Sequence, residues 1–219
     1  PAETEARLFR NWLPIDLVTV APDDERLYQT QALLDRLVAH WPDTPYEFTV
    51  EIDESEVANA MALPGGLIVL TSGLLDQVES ENELAFVLGH ELGHFRNRDH
   101  LRALGRAGAL SIFLVAVAGK DSSGLGITLA DLTLRGFSRT QEARADEFGL
   151  AIVYAEYGHV NAAWRLFERW NEVDRRTLDI AAYFSTHPQA ADRIENLGRL
   201  ADREGWQLDG PVTSLPRPD

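Results

Sequence analysis

The segment His90-Glu91-Leu92-Gly93-His94 sets two imidazoles four residues apart, with a carboxylate beside the first. On a helix this spacing brings both histidines to one face, where two ring nitrogens can bind a single tetrahedral ion. Glu91 then stands next to the water on that ion as a candidate general base. A solvated helix can carry the pattern by chance, so the surroundings decide. Leu84, Phe86, Val87, Leu88 and Leu92 flank it, which predicts a core helix, where two imidazoles and a carboxylate are costly without an ion. Ser80 and Glu83 form a capping-box pattern that starts this helix.

With no cysteine in the chain, any metal must be held by histidines and carboxylates, and a third protein ligand is needed. Two candidates compete. His100 stands six residues after His94, so HELGHFRNRDH nearly reproduces the HExxHxxGxxH pattern of metzincins, with Asn97 at the turn position; Asn tolerates left-handed backbone. Metzincins also place a Met turn downstream, and the single methionine here, Met61, lies upstream. The other candidate is Glu142 in Ser138–Asp146 (SRTQEARAD), where Ser138 and Gln141 form a second capping-box pattern. Asp146, four residues on and on the same face, is placed to accept the free N–H of a metal-bound imidazole. An exposed helix start with an Arg144 salt bridge is the bland alternative.

The elements that must position these groups follow from periodicity. Residues 23–39 carry Leu27, Leu33, Leu34, Leu37 and Val38 at helical spacing. Residues 46–52 alternate as a half-buried strand, and 56–63 and 67–71 flank the turn signal Pro64-Gly65-Gly66, which together predict a small antiparallel sheet. From Leu74 the pattern is helical, with breaks at 119–126, Gly158 and Pro188. The fold class is α+β, mostly α. The expected organisation is one domain over 1–219: an N-terminal helical segment (1–44), the sheet (45–72), a helical catalytic region (73–204) and an irregular tail (205–219). Trp164, Phe167 and Trp170 fall at helical spacing and read as core, and His40 and His159 as loop histidines.

Composition bounds the function. The 219 residues carry 35 acidic and 20 basic side chains, a formal charge of −15, the wrong sign for neutralising phosphates, so nucleic acid is not an expected partner. The apolar run Ala107–Gly119 spans 13 residues, about 20 Å as a helix against a hydrocarbon core of roughly 30 Å; it is expected to be a buried helix. The chain begins at Pro1 rather than Met, which is consistent with a removed signal peptide or anchor; with no run long enough to span, membrane attachment is expected only through a segment absent from this chain. Oligomeric state is not legible.

Four blocks, in order, resemble the gluzincin metallopeptidases of the HtpX, BepA and CAAX-prenyl-endopeptidase type. Asn59–Ile68 (NAMALPGGLI) with Thr71, Gly73 and Leu74 is similar to the family's NAxAxPGGxI block. His90–His94 matches its HExxH, Ser138–Asp146 its SRxxExxAD segment, and Ser185–Pro188 (STHP) with Arg193 its His-Pro…Arg element. The resemblance implies a zincin-like helical domain with the sheet beside the HExxH helix. It implies one zinc ion per chain on His90, His94 and Glu142, with Glu91 as base and Asp146 behind a ligand. His187, with Arg193 nearby, is implied to face the reaction centre from a loop; from the residues alone, His187 could equally cap a helix.

The expected activity is zinc-dependent cleavage of internal peptide bonds in polypeptides, in quality control within the cell envelope. An extended substrate is expected to pair with the strand bearing Asn59, Ala60, Met61 and Ala62, whose two alanines leave room; the alternative is that these alanines only pack beneath the helices. The other functional class is a chaperone-like binding module holding a latent zinc site, occluded by the His187 loop or by residues 119–126.

Overall fold

The computed structural model describes residues 18–102, 105, 136–172, 178–188 and 192–215. Helix α1 (Glu25–Ala39) starts where Asp24 caps it, its side chain accepting from the Arg26 N–H, and buries Thr30, Leu33, Leu34 and Leu37 on one stripe. Strands β1 (Thr49–Asp53), β2 (Ala60–Leu63) and β3 (Leu67–Thr71) follow, then the short helix α2 (Ser72–Gln77).

The sheet is mixed, not antiparallel throughout. β2 and β3 form the expected hairpin, with Gly65 and Gly66 at φ 90° and 89° in the turn, a conformation that costs glycine little. β1 pairs with β3 in parallel, from Thr49 opposite Leu67 to Asp53 opposite Thr71, giving the order β1-β3-β2. The reason lies in β3 itself: Leu-Ile-Val-Leu-Thr is apolar almost throughout, and Ile68, Val69 and Leu70 are all buried. A strand that is apolar on both faces takes the centre of a sheet rather than its edge. β1 and β2 are shorter than the alternation predicts, and Tyr46 and Phe48 instead set their rings 5.2 and 5.0 Å from Phe95.

Helix α3 (Glu81–Arg96) lies beside β2, and α4 (Arg139–Tyr157) makes the largest contact with it. That contact needs small residues. A Cβ on Gly93 would stand 2.7 Å from the Ala145 Cα, and one on Gly89 would stand 3.0 Å from the Gly149 Cα. The two backbones therefore approach at Gly89, Gly93 and Gly149, bringing the facing polar side chains within reach of one another. Helices α5 (Arg165–Glu172), α6 (Leu178–Thr186) and α7 (Arg193–Glu204) close the layer, and Phe167 and Trp170 join the core as expected while Trp164 packs on its margin.

The tail does more than the irregular reading implies. The Thr213 carbonyl accepts from the Glu81 N–H at 2.9 Å, and the Thr213 N–H donates to Asn82 Oδ1 at 2.9 Å. Two groups at the start of α3 are thereby tied to the tail. The expected helix at 107–119 and the break at 119–126 lie outside the described residues. Among the described residues, no helix is long and apolar enough to cross a membrane.

Candidate metal centre

Every residue of α3 from Asn82 to Phe95 is buried, so His90, Glu91 and His94 have no solvent to hydrate them. Ser80 caps the helix through the Glu83 N–H at 3.3 Å. The reciprocal half of the predicted box is replaced: the Glu83 carboxylate takes the Glu79 N–H at 2.9 Å and two bonds from Arg169 at 2.8 Å. At α4 the box is complete between Ser138 and Gln141, and it fixes the turn that presents Glu142.

Four side chains converge: His90, His94, Glu142 and His187 offer donor atoms that all lie within 4.8 Å of one another. His90 Nε2 is 3.1 Å from His94 Nε2 and 3.1 Å from His187 Nδ1. Glu142 Oε1 is 3.4 Å from His94 Nε2 and 3.3 Å from His187 Nδ1, and its Oε2 is 3.6 Å from His90 Nε2. Ligands about 2.0–2.1 Å from a tetrahedral zinc stand about 3.3 Å apart, so these separations fit such an ion.

The outer hydrogen bonds test that fit. His90 Nδ1 lies 2.9 Å from Asp146 Oδ1, His94 Nδ1 lies 3.4 Å from Asp99 Oδ2, and His187 Nε2 lies 3.3 Å from the Ala60 carbonyl oxygen. Each of these partners only accepts and so favours a proton on the outer ring nitrogen, although Arg193 NH2 also lies 3.4 Å from His90 Nδ1; a proton held outward leaves a lone pair on the inner nitrogen. With the protons outward, three inner lone pairs and the Glu142 carboxylate would face one another, an arrangement that suits a cation; in the metal-free chain His94 keeps a second proton, which an ion would displace. Beside these donors, both Glu91 carboxylate oxygens are buried without a hydrogen-bond partner among the described residues, 3.5 Å separating Oε1 from His187 Nε2. A carboxylate left so is costly and suits a group that works on a water at the centre.

Charge follows the same plan. Burial lowers the His90 pKa, outweighing Glu142 and Asp146. Burial also opposes a charged His94, but Asp99, Glu142 and Glu91 overcome it and push the pKa up to about 9. Against its own burial, Glu142 is held well below the usual carboxylate range by His187 and His90, and Asp146 is lowered chiefly by Arg193.

All seven residues expected at the reaction centre come together here. Arg193 takes a different place within it: its guanidinium is bound to Asp146 and reaches Glu142 Oε2 at 2.8 Å, on the side of these acids away from the inner nitrogens. His187 lies in the bend directly after α6, its N–H bonded to the Tyr183 carbonyl at 2.8 Å and its ring stacked on Tyr183 at 4.7 Å, so the helix end holds it in place. His100 is turned away, buried against Phe95 at 4.5 Å and Tyr46 at 5.9 Å, and is not among the converging donors. Asn97 keeps right-handed backbone, and the left-handed residue is Arg98, at φ 55°.

Of the expected substrate strand, Asn59, Ala60, Met61 and Ala62 are all buried. β2 is an edge strand, and the Asn59 N–H and C=O face Thr71 on the β3 side, so Ala60 and Ala62 direct their backbone groups away from β3. At Ala60 these groups are engaged: the N–H donates to Asn59 Oδ1 at 3.0 Å, and His187 takes the carbonyl. Two neighbours of the centre were not legible in the sequence: Asp99, and Phe137, whose ring stacks 3.8 Å from that of His94 at 19°. An acid just beyond a helix end was the available signal for Asp99.

The profile of peptidase family M48 matches residues 25–201. The chain is similar to the mitochondrial metalloendopeptidase OMA1 of Schizosaccharomyces pombe, 30% identical over 168 residues that cover 75% of this chain and 50% of that protein. It is similar to a putative beta-barrel assembly-enhancing protease of Vibrio cholerae, 30% identical over 175 residues, 73% of this chain and 36% of the relative. A protease HtpX homolog of Helicobacter acinonychis is 31% identical over 168 residues, 62% of this chain and 54% of the relative. The chain thus spans about half, or less, of the length of these relatives. With a profile match running from α1 to α7 across the converged His-Glu cluster, the chain belongs to peptidase family M48.

Proposed function

We propose that this chain is a zinc-dependent endopeptidase acting on internal bonds of extended polypeptides, with His90, His94 and Glu142 as the zinc ligands and one ion per chain. The observation that carries the proposal is the convergence of donor atoms from His90, His94, Glu142 and His187, each imidazole backed by an acceptor, beside a buried Glu91 carboxylate with no hydrogen-bond partner among the described residues. When bound, zinc supplies Lewis acidity toward water and the scissile carbonyl. Glu91 takes the proton of the attacking water and delivers it to the leaving nitrogen. Asp146 and Arg193 hold His90 and Glu142 in place from behind.

His187 has two positions to fill in this scheme. In the conformation described, its Nδ1 completes the donor set and the centre is closed, each of His90, Glu91, His94, Glu142 and His187 being at most 1% exposed. For turnover it withdraws from the donors and presents an N–H to the oxyanion, leaving the Ala60 carbonyl free to pair with a substrate strand. An envelope compartment and a quality-control role rest on the resemblance and on the names of the relatives.

The test is cleavage of casein by the zinc-loaded chain, with Glu91→Gln alongside and the zinc content of both measured. The wild type is expected to cleave and the variant to hold zinc without cleaving. Cleavage by Glu91→Gln at the wild-type rate would overturn the role of Glu91, and absence of zinc from both would overturn the ligand assignment.

A further inference from the structure

His90 has Asp146 and Arg193 behind it, but His94 has a separate support in Asp99, which lies outside the four sequence blocks. Asp99 is fully buried. Its Oδ1 receives two donors, Gln141 Nε2 at 2.7 Å and Arg102 NH1 at 2.9 Å, while its Oδ2 turns to His94 Nδ1 at 3.4 Å. The Gln141 amide cannot be reversed without loss, because its Oε1 accepts the Ser138 N–H at 3.0 Å in the capping box. The residue that closes the start of α4 therefore also reaches across to the end of α3. The backbone contributes too: the left-handed Arg98 turns the chain directly after α3, so that Asp99 folds back under His94.

We propose that Asp99, anchored by Gln141, is the positioning residue of His94: it accepts the Nδ1–H and holds the Nε2 lone pair toward His90 and Glu142. The proposal rests on the reading of that cluster as a metal centre. It makes the Asp99–Gln141 bond a second link between the two ligand-bearing helices, alongside the metal. The outer shell is then complete, with Asp146 behind His90, Asp99 behind His94 and the Ala60 carbonyl behind His187. The competing account is an ordinary ion pair with Arg102, whose side chain is 56% exposed. Removing Arg102 separates the two.

The experiment measures zinc affinity by competition with a chromophoric chelator, and the visible spectrum of the cobalt(II)-substituted chain, for wild type, Asp99→Asn, Gln141→Leu and Arg102→Ala. Asp99→Asn is expected to weaken zinc binding about 10–100-fold and to change the cobalt bands, which report donor geometry. Gln141→Leu is expected to act in the same direction with a smaller loss, and it carries the test if Asp99→Asn does not fold. Arg102→Ala is expected to stay within about twofold of wild type. Wild-type affinity and spectrum in Asp99→Asn, or in Gln141→Leu where that variant carries the test, would overturn the proposal. So would a loss in Arg102→Ala equal to that in Asp99→Asn. A wild-type chain that binds neither zinc nor cobalt would overturn the metal centre itself, a different failure.

Discussion

Arg193 grips Asp146 with two parallel bonds, Nε to Oδ2 at 2.8 Å and NH2 to Oδ1 at 2.5 Å, and both residues are buried. The planar fork matches the carboxylate edge to edge, and the remaining nitrogen faces Glu142. Removing the arginine leaves two buried carboxylates without their cation. Arg193→Met is expected to destabilise the metal-free chain by about 3–5 kcal/mol, read by urea unfolding. Arg193→Lys restores the charge without the fork and is expected to recover only part of that loss. A Met variant as stable as wild type would show that Arg193 does not hold these acids.

The contact of Gly93 with Ala145 sets the distance between α3 and α4. Gly93→Ala forces a methyl into backbone, at an expected cost of about 1–3 kcal/mol and with weaker zinc binding, because His94 and Glu142 move apart. Gly198, inside α7, has open space where its Cβ would lie, so Gly198→Ala is expected to stabilise by about 0.5–1 kcal/mol. Thermal unfolding of both variants checks the pair. Equal effects would mean that helix propensity, not helix approach, is being measured.

The pH dependence of metal stabilisation follows from His94. Its pKa in the folded, metal-free chain is raised to about 9 from 6.5, with burial opposing and Asp99 and Glu142 prevailing. A raised value contributes stability that is complete below about 6.5 and is lost as pH rises through about 9. The metal-bound chain needs His94 without that proton, so it does not share the loss. His90, Glu142 and Asp146 are shifted downward and titrate below this window. The rise in Tm on adding zinc is therefore expected to grow between pH 6.5 and 9. A constant increment would contradict the assignment.

Arg98 adopts φ 55° without being glycine, a conformation that costs a side-chain-bearing residue about 1–2 kcal/mol. Arg98→Gly is expected to raise stability by about 0.5–1 kcal/mol, and Arg98→Val to lower it, since β-branching is poorly tolerated there. Denaturant midpoints report both; a lower midpoint for the Gly variant would place the Arg98 side chain, rather than its backbone, in the stabilising role.

Much of the centre was legible because its parts are local. HELGH on an apolar helix, the caps at Ser80 and Ser138, and the Glu142/Asp146 spacing each depend on residues within one or two turns of one another, so helical periodicity is enough to set the side chains on a common face. The upstream position of Met61 already counted against His100, and resemblance completed the choice of Glu142; the place of His187 came from resemblance alone. Their contacts join residues 45 to 97 positions apart, and no local period carries that information.

What only the tertiary structure decided is of that long-range kind. The parallel pairing of β1 with β3 arises because the most apolar strand takes the middle of the sheet, a competition among strands rather than a property of any one alternation. The turn of Asp99 toward His94 depends on a left-handed arginine that no glycine announces. The seat of Arg193 exists because α3 and α4 meet through Gly89, Gly93 and Gly149 while the α4 acids Glu142 and Asp146 face α7. The sequence by itself determined which residues could serve as donors and which helices bear most of them; the packing of those helices, a matter of van der Waals approach and buried charge, determined which nitrogen of each imidazole faces the cluster.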